Sequence, residues 1–242
     1  MMYKTLALTV GAVTIAAVSA IAAIGSGYTL FGGATLVSPG NASSKAVQLV
    51  ADVSNASTAD DFSGIEFGVT SGLTFADLDT LSLDYNFTGG SCAGGSPRFQ
   101  VNVLDPNTNT VKNIFVYVGP APSYTGCPPN VWTNTGNLLA PANLIDTSQL
   151  SGGTFYDTVT AAETKYGTYQ VVGIQVVADT FGAAQTVLID NVVINSQTTT
   201  FEPISKDDCK NGGWKNFTSD PGPFKNQGQC VSHFASDGHG NH

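Results

Sequence analysis

Residues 186–195, TVLIDNVVIN, decide how this chain is read. As a straight strand the stretch has no apolar side: Leu188, Val192 and Ile194 fall on one face, Val187, Ile189 and Val193 on the other. One extra residue at Asp190-Asn191 changes the parity. Val187, Ile189, Val192 and Ile194 then share a face, opposite Leu188, Val193 and Asn195. The stretch therefore predicts a bulged closing strand with four aliphatic side chains on a core. Asp190 is then a bulge residue that bonds nearby backbone amides.

The same period of two recurs upstream. Residues 80–88 place Leu81, Leu83, Tyr85 and Phe87 inward and Ser82, Asp84, Asn86 and Thr88 outward. Phe99, Val101 and Val103 continue an inward set after the turn GGSCAGGSP (residues 89–97), so these two strands are expected to pair as a hairpin. Residues 28–40, 44–53 and 65–69 read as strands, and so do residues 169–178, with Val172, Ile174, Val176 and Ala178 packed. Residues 113–118 are apolar on both faces, which suits either a central strand or one that shows an aromatic on its second face. Residues 154–160 read as strand and 159–166 as a short helix. With about eight or nine strands and hardly any helix, the expected fold is all-β, an antiparallel jelly-roll type β-sandwich. An immunoglobulin-like sandwich fits less well, given the length and the absence of a Cys, Trp, Cys pattern.

The 242 residues suit one sandwich plus an appendage. Acidic residues number 18 against 9 basic ones, yet only 11% of the chain is charged. That balance argues against nucleic acid, whose phosphates need a basic surface. Lys4 followed by an apolar segment over 6–24, ending in small residues around Ala20 and Ala22, reads as a cleaved signal peptide over 1–25. An uncleaved anchor is the alternative, because about 19 apolar residues can cross a bilayer. No second segment of that length follows, so the body is expected outside the membrane, secreted or on the cell surface.

Four cysteines agree with an oxidising compartment. They fall into two groups, and the expected disulfides are Cys92 with Cys127 and Cys209 with Cys230. Zinc is disfavoured, since no CxxC pair exists. Residues 26–202 are expected to form the sandwich domain and residues 203–242 a clasped C-terminal module with a disordered end.

Two stretches carry resemblances. GGSCAGGSPRFQVNV, FVYVGPAPSYTGCPPNVWTNTGNLL and QTVLIDNVVIN together resemble a family of secreted bacterial β-sandwich proteins of unknown function. The last of them also looks like the final strand of galactose-binding-like jelly rolls and carbohydrate-binding modules. The tail, with CKNGGW and FKNQGQC, is similar to a module found at the C-terminus of many secreted bacterial proteins. These resemblances imply a sandwich fold and transfer no binding residue.

Candidate chemistry is narrow. The loop over 119–139 holds four prolines with Tyr124 and Trp132, a stiff aromatic surface on which a sugar ring can stack. Arg98, the only arginine, either clamps a ligand or pairs with a sheet-face acid such as Asp84 or a loop carbonyl. Ligand-binding candidates are therefore Trp132, Tyr124, Arg98 and Asp84. No cofactor is implied; a structural calcium has weak candidate ligands in Asp60 and Asp61, with Asp52, Asp190 and Asn191 as further oxygen donors. A hydrolytic triad is excluded because His233, His239 and His242 all sit in the tail. The expected function is a non-catalytic extracellular module that binds glycan or cell-wall polymer. Alternatives are a surface protein attached through its C-terminal module and, more distantly, a glycoside-active enzyme using acids such as Glu66 and Asp84.

Overall fold

The computed structural model describes residues 27–52, 62–179, 184–202, 206–207, 209–216 and 224–236. The signal segment over 1–25 and the candidate calcium ligands Asp60 and Asp61 lie outside them. The described strands are β1 (Tyr28–Gly32), β2 (Thr35–Val37), β3 (Ala46–Ala51), β4 (Phe62–Phe67), β5 (Leu81–Gly89), β6 (Arg98–Asp105) and β7 (Thr110–Tyr117). They continue with β8 (Thr133–Asn134), β9 (Leu144–Ile145), β10 (Asp157–Thr158), β11 (Gln170–Asp179), β12 (Gln185–Ile194) and β13 (Gln197–Thr199). One helix, α1 (Val159–Tyr166), lies between β10 and β11, and another, α2 (Gln227–Ser236), lies in the tail.

Two antiparallel sheets form the sandwich. One runs β1-β4-β11-β6-β7 and the other β2-β3-β12-β5-β8, with β13 also paired to β12. Their inner faces meet in a single apolar core, including Leu49, Ile65, Leu83, Phe87, Phe99 and Ile174, all fully buried. The fold is the expected all-β antiparallel sandwich.

The closing strand has its bulge. Asp190 pairs with Asp84 and Val193 with Ser82, so β12 advances three residues while β5 advances two. Asn191 takes up the extra step with a left-handed backbone, φ 46°. As a result Val187, Ile189, Val192 and Ile194 all face the core. Asp190 Oδ2 accepts from Asn41 N at 2.7 Å and Ser43 Oγ at 2.6 Å, and Oδ1 accepts from Asn191 N at 2.7 Å. Gly40 makes room for this turn, since a Cβ there would lie 2.6 Å from Asp190 Oδ2 and 2.1 Å from Lys45 O.

Two strand expectations need correction. β5 and β6 do not pair as a hairpin: β5 pairs with β12 and β8, β6 with β11 and β7. The chain crosses between sheets over residues 90–97. Inward alternation is the same whether two strands lie side by side or face each other across a core, so the pattern does not distinguish them. In β11, a register shift between Val171 and Gly173 buries Val171 and leaves Val172 40% exposed. β7, apolar on both faces, stands at the sheet margin and presents Phe115 and Tyr117 outward.

α1 matches the expected helix. Thr158 caps it by accepting from Ala161 N at 3.2 Å, and Val159, Ala162 and Tyr166 are its buried side. Asp157 beside it accepts from Lys165 Nζ at 2.8 Å and Thr147 Oγ1 at 2.5 Å. Burial pushes the Asp157 carboxyl up, but these partners outweigh it and hold it below the usual range. Glu202 is likewise held low by the Ser44 hydroxyl and the Ser44 and Lys45 amides. Carboxyls with depressed folded values stabilise the fold fully above their unfolded value of about 4, and that stability is lost as pH falls through the folded value. The melting temperature is therefore expected to drop as pH goes from about 5 to about 3. An unchanged melting temperature over that interval would count against these two anchors.

The tail is held by its own bridge. Cys209 and Cys230 are joined, as are Cys92 and Cys127, both as expected. Around the tail bridge Phe224 is buried, with Trp214, Val231 and Phe234 packed against it, apart from the main core.

Candidate functional site: an aromatic cleft at one end of the sandwich

Where β6 begins and β7 ends, their outward side chains meet three loops and enclose a cleft of about 410 Å³. The register sets the floor. Arg98 stands opposite Tyr117, and Gln100 opposite Phe115, so the outward face carries Arg98 beside two aromatic rings. The Arg98 guanidinium carbon lies 4.8 Å from the Phe115 ring centre.

One wall is the proline-rich loop. Gly119 lets it fold back: a Cβ there would lie 2.6 Å from Tyr124 O and 3.0 Å from Cys92 Sγ. Tyr124 closes the turn by donating its N–H to Pro120 O at 2.8 Å, with φ 53°, a left-handed backbone that is uncommon for an aromatic residue. The Cys92–Cys127 bridge joins this loop to the turn containing Gly94 and Gly95, which also line the cleft.

The opposite wall comes from residues between β9 and β10. Tyr156 is 56% exposed and Phe155 61% exposed, the most exposed large apolar side chains among the described residues. Tyr156 stacks on Tyr124, with ring centres 6.5 Å apart and 11° between planes, and Tyr124 meets Tyr117 edge-on at 4.7 Å. A relay of three tyrosines thus runs from the sheet floor to solvent.

The polar groups are held firmly. Tyr117 donates its hydroxyl to Asp146 Oδ2 at 2.5 Å, and Ser148 N donates to Asp146 Oδ1 at 2.8 Å. Burial, together with the Asp146 carboxylate, pushes the Tyr117 hydroxyl well above the usual phenol range, so it stays a neutral donor. Burial likewise pushes Tyr124 up, with Tyr156 and Asp146 adding to it. Arg98 Nη1 lies 2.7 Å from Asp179 Oδ2 and donates to Gly95 O at 2.9 Å.

Of the four sequence-derived candidates, Arg98 and Tyr124 share this cleft. Tyr124 is buried and forms its inner wall rather than its surface. Trp132 is half-buried and does not line it. Asp84 lies on the other sheet, buried beneath the amides of Asn134, Asn41 and Asn191, which donate to it at 2.6, 2.8 and 2.7 Å. The acid that Arg98 meets is accordingly Asp179, not Asp84. Phe155, Tyr156 and Asp146 were not singled out from the sequence; the adjacent Phe-Tyr pair between two glycines and a helix was their only signal.

A second cavity of about 500 Å³ lies behind Tyr117 and Tyr124, lined by Tyr85, Pro128, Leu138 and Asn143 among others. Among the described residues no group of three or more His, Cys, Asp or Glu side chains could hold a metal ion. No helix among them is long and apolar enough to cross a membrane.

No family model and no curated protein matches the chain. Among solved structures, an exo-β-agarase aligns over 73% of this chain and 24% of its own, with 14% identity and a TM-score of 0.38. A carbohydrate-binding module specific for non-crystalline cellulose aligns over 66% of this chain and 79% of its own, with 15% identity and a TM-score of 0.33. The chain thus spans about a quarter of the agarase's length.

Proposed function

We propose that this protein is a non-catalytic extracellular module that binds carbohydrate in the cleft lined by Arg98, Tyr117 and Tyr156. The observation that carries the reading is the exposed pair Phe155 and Tyr156, set beside the stacked Tyr124 and next to fixed polar groups. A pyranose ring has an apolar face for an aromatic plane and a rim of hydroxyls for polar groups, and the cleft offers both. Both carboxylates in the cleft are engaged, Asp146 by Tyr117 and Ser148 and Asp179 by Arg98. That supports binding rather than hydrolysis, which needs an acid free to give up its proton. The two disulfides fit an extracellular protein. In the same proposal residues 26–202 are the binding domain after removal of the signal over 1–25, and residues 203–242 a separately clasped module. The separate buried cluster around Cys209 and Cys230 supports that division.

Retention on a panel of polysaccharides, repeated with single variants, tests the reading. Tyr156→Ala is expected to weaken binding about tenfold, the loss of one exposed aromatic contact, without lowering the melting temperature. Trp132→Ala, outside the cleft, is expected to stay within about twofold of the parent. Absence of retention on every polysaccharide would sink the proposal, and a larger effect of Trp132→Ala than of Tyr156→Ala would move the site elsewhere.

A further inference from the structure

Resting on the reading of the cleft as a glycan site, we infer that it selects neutral sugars over uronic-acid ones, and that Asp179 sets the selection. Arg98 is the only arginine of the chain, and among the described residues no lysine or histidine lines the cleft. Its charge is already matched by Asp179 at 2.7 Å, and its guanidinium lies over Phe115. Asp146 adds a second carboxylate to the same lining. One cation therefore stands against two anions, in a chain of net charge −9. An incoming carboxylate finds no unpaired cation and approaches two like charges, a repulsive element of the kind that gives specificity.

The hydrogen-bonding capacity left over is that of a hydroxyl. Arg98 Nε and Asp179 Oδ1 are closed off from solvent, and besides the tyrosines the polar uncharged side chains of the described lining are Ser123, Ser148 and Gln149. A sugar hydroxyl can both donate to and accept from such neutral groups. A carboxylate can only accept, and gains no free cation there.

Paired hexasaccharides that share linkage and differ only in oxidation at C6 test this, by calorimetry at low salt with EDTA present. The parent protein is expected to bind the neutral member at least about tenfold more tightly than its uronic partner. Asp179→Asn keeps the side-chain shape and frees the Arg98 charge, and is expected to narrow that ratio about tenfold by strengthening uronate binding. Should that variant not fold, the parent alone decides through added sodium chloride. Screening is expected to strengthen uronate binding and leave neutral binding unchanged. Equal affinity for the two members, a ratio unmoved by Asp179→Asn, or uronate binding that weakens with salt each overturns the selectivity while leaving the glycan reading in place. No binding of any hexasaccharide overturns the glycan reading itself, and the selectivity with it.

Discussion

Asp190→Ala is expected to destabilise the sandwich by about 3 to 5 kcal/mol in denaturant unfolding. Asp190 is fully buried and accepts three hydrogen bonds, from Asn41 N, Ser43 Oγ and Asn191 N. Its removal leaves two backbone N–H groups and a hydroxyl, all part-buried, without their acceptor. Asp84, its cross-strand neighbour, is buried too and is held by three side-chain amides. Two carboxylates thus sit side by side without a described cation, Asp84 held by amides and Asp190 by two amides and the Ser43 hydroxyl. Losing Asp190 relieves some repulsion on Asp84, which offsets part of the cost. Asp190→Asn retains the volume but turns donors toward donors at Asn41 N or Asn191 N, and an intermediate loss is expected. A cost below about 1 kcal/mol for Asp190→Ala would mean that the bulge is held by aliphatic packing and not by this network.

Converting Cys92 and Cys127 together to serine is expected to cost about 3 to 4 kcal/mol, from the entropy regained by a loop with a sequence separation of 35. Stability is only part of the effect. The bridge ties the turn with Gly94 and Gly95 to the loop that carries Tyr124, so two walls of the cleft lose their common anchor. Ser91 Oγ also donates to Cys127 O at 3.0 Å, and Cys127 N approaches Cys92 Sγ at 3.0 Å, so the link is reinforced locally. Polysaccharide retention is expected to fall more steeply than the fraction folded. Retention that merely tracks the folded fraction would show the bridge to be a staple for the sandwich alone.

The bulge was legible because six aliphatic residues in one short run leave only one arrangement with a single apolar face. The short helix was read over residues 159–166, while its Thr158 cap came to light only in the fold, and the disulfides were read from the grouping of four cysteines. Strand partners were not legible. Inward alternation in residues 81–87 and 99–103 reports burial and says nothing of which sheet receives the strand. The cleft was half legible for a related reason. Tyr124 and Arg98 stand out as an aromatic among prolines and a lone arginine, local features of the sequence. Tyr156, Asp146 and Asp179 join them only through the fold, from segments some 20 to 80 residues away. Trp132, the most conspicuous aromatic of that loop, is half-buried and does not line the cleft.

One feature of the sheet order bears on how the chain comes together. β11 is the middle strand of one sheet and β12 the middle strand of the other, and both lie near the end of the sandwich sequence. Before they are made, the nascent chain holds only fragments: β1 with β4, β6 with β7, β2 with β3, and β5 with β8. Isolated two-stranded ribbons are marginal in water, so none of these fragments persists alone. Each pair of fragments is bridged only when residues 170–194 arrive, closing contacts of high sequence separation at once. Assembly is therefore held back until synthesis of the sandwich is nearly finished, which keeps the polypeptide threadable through a narrow pore for most of its length.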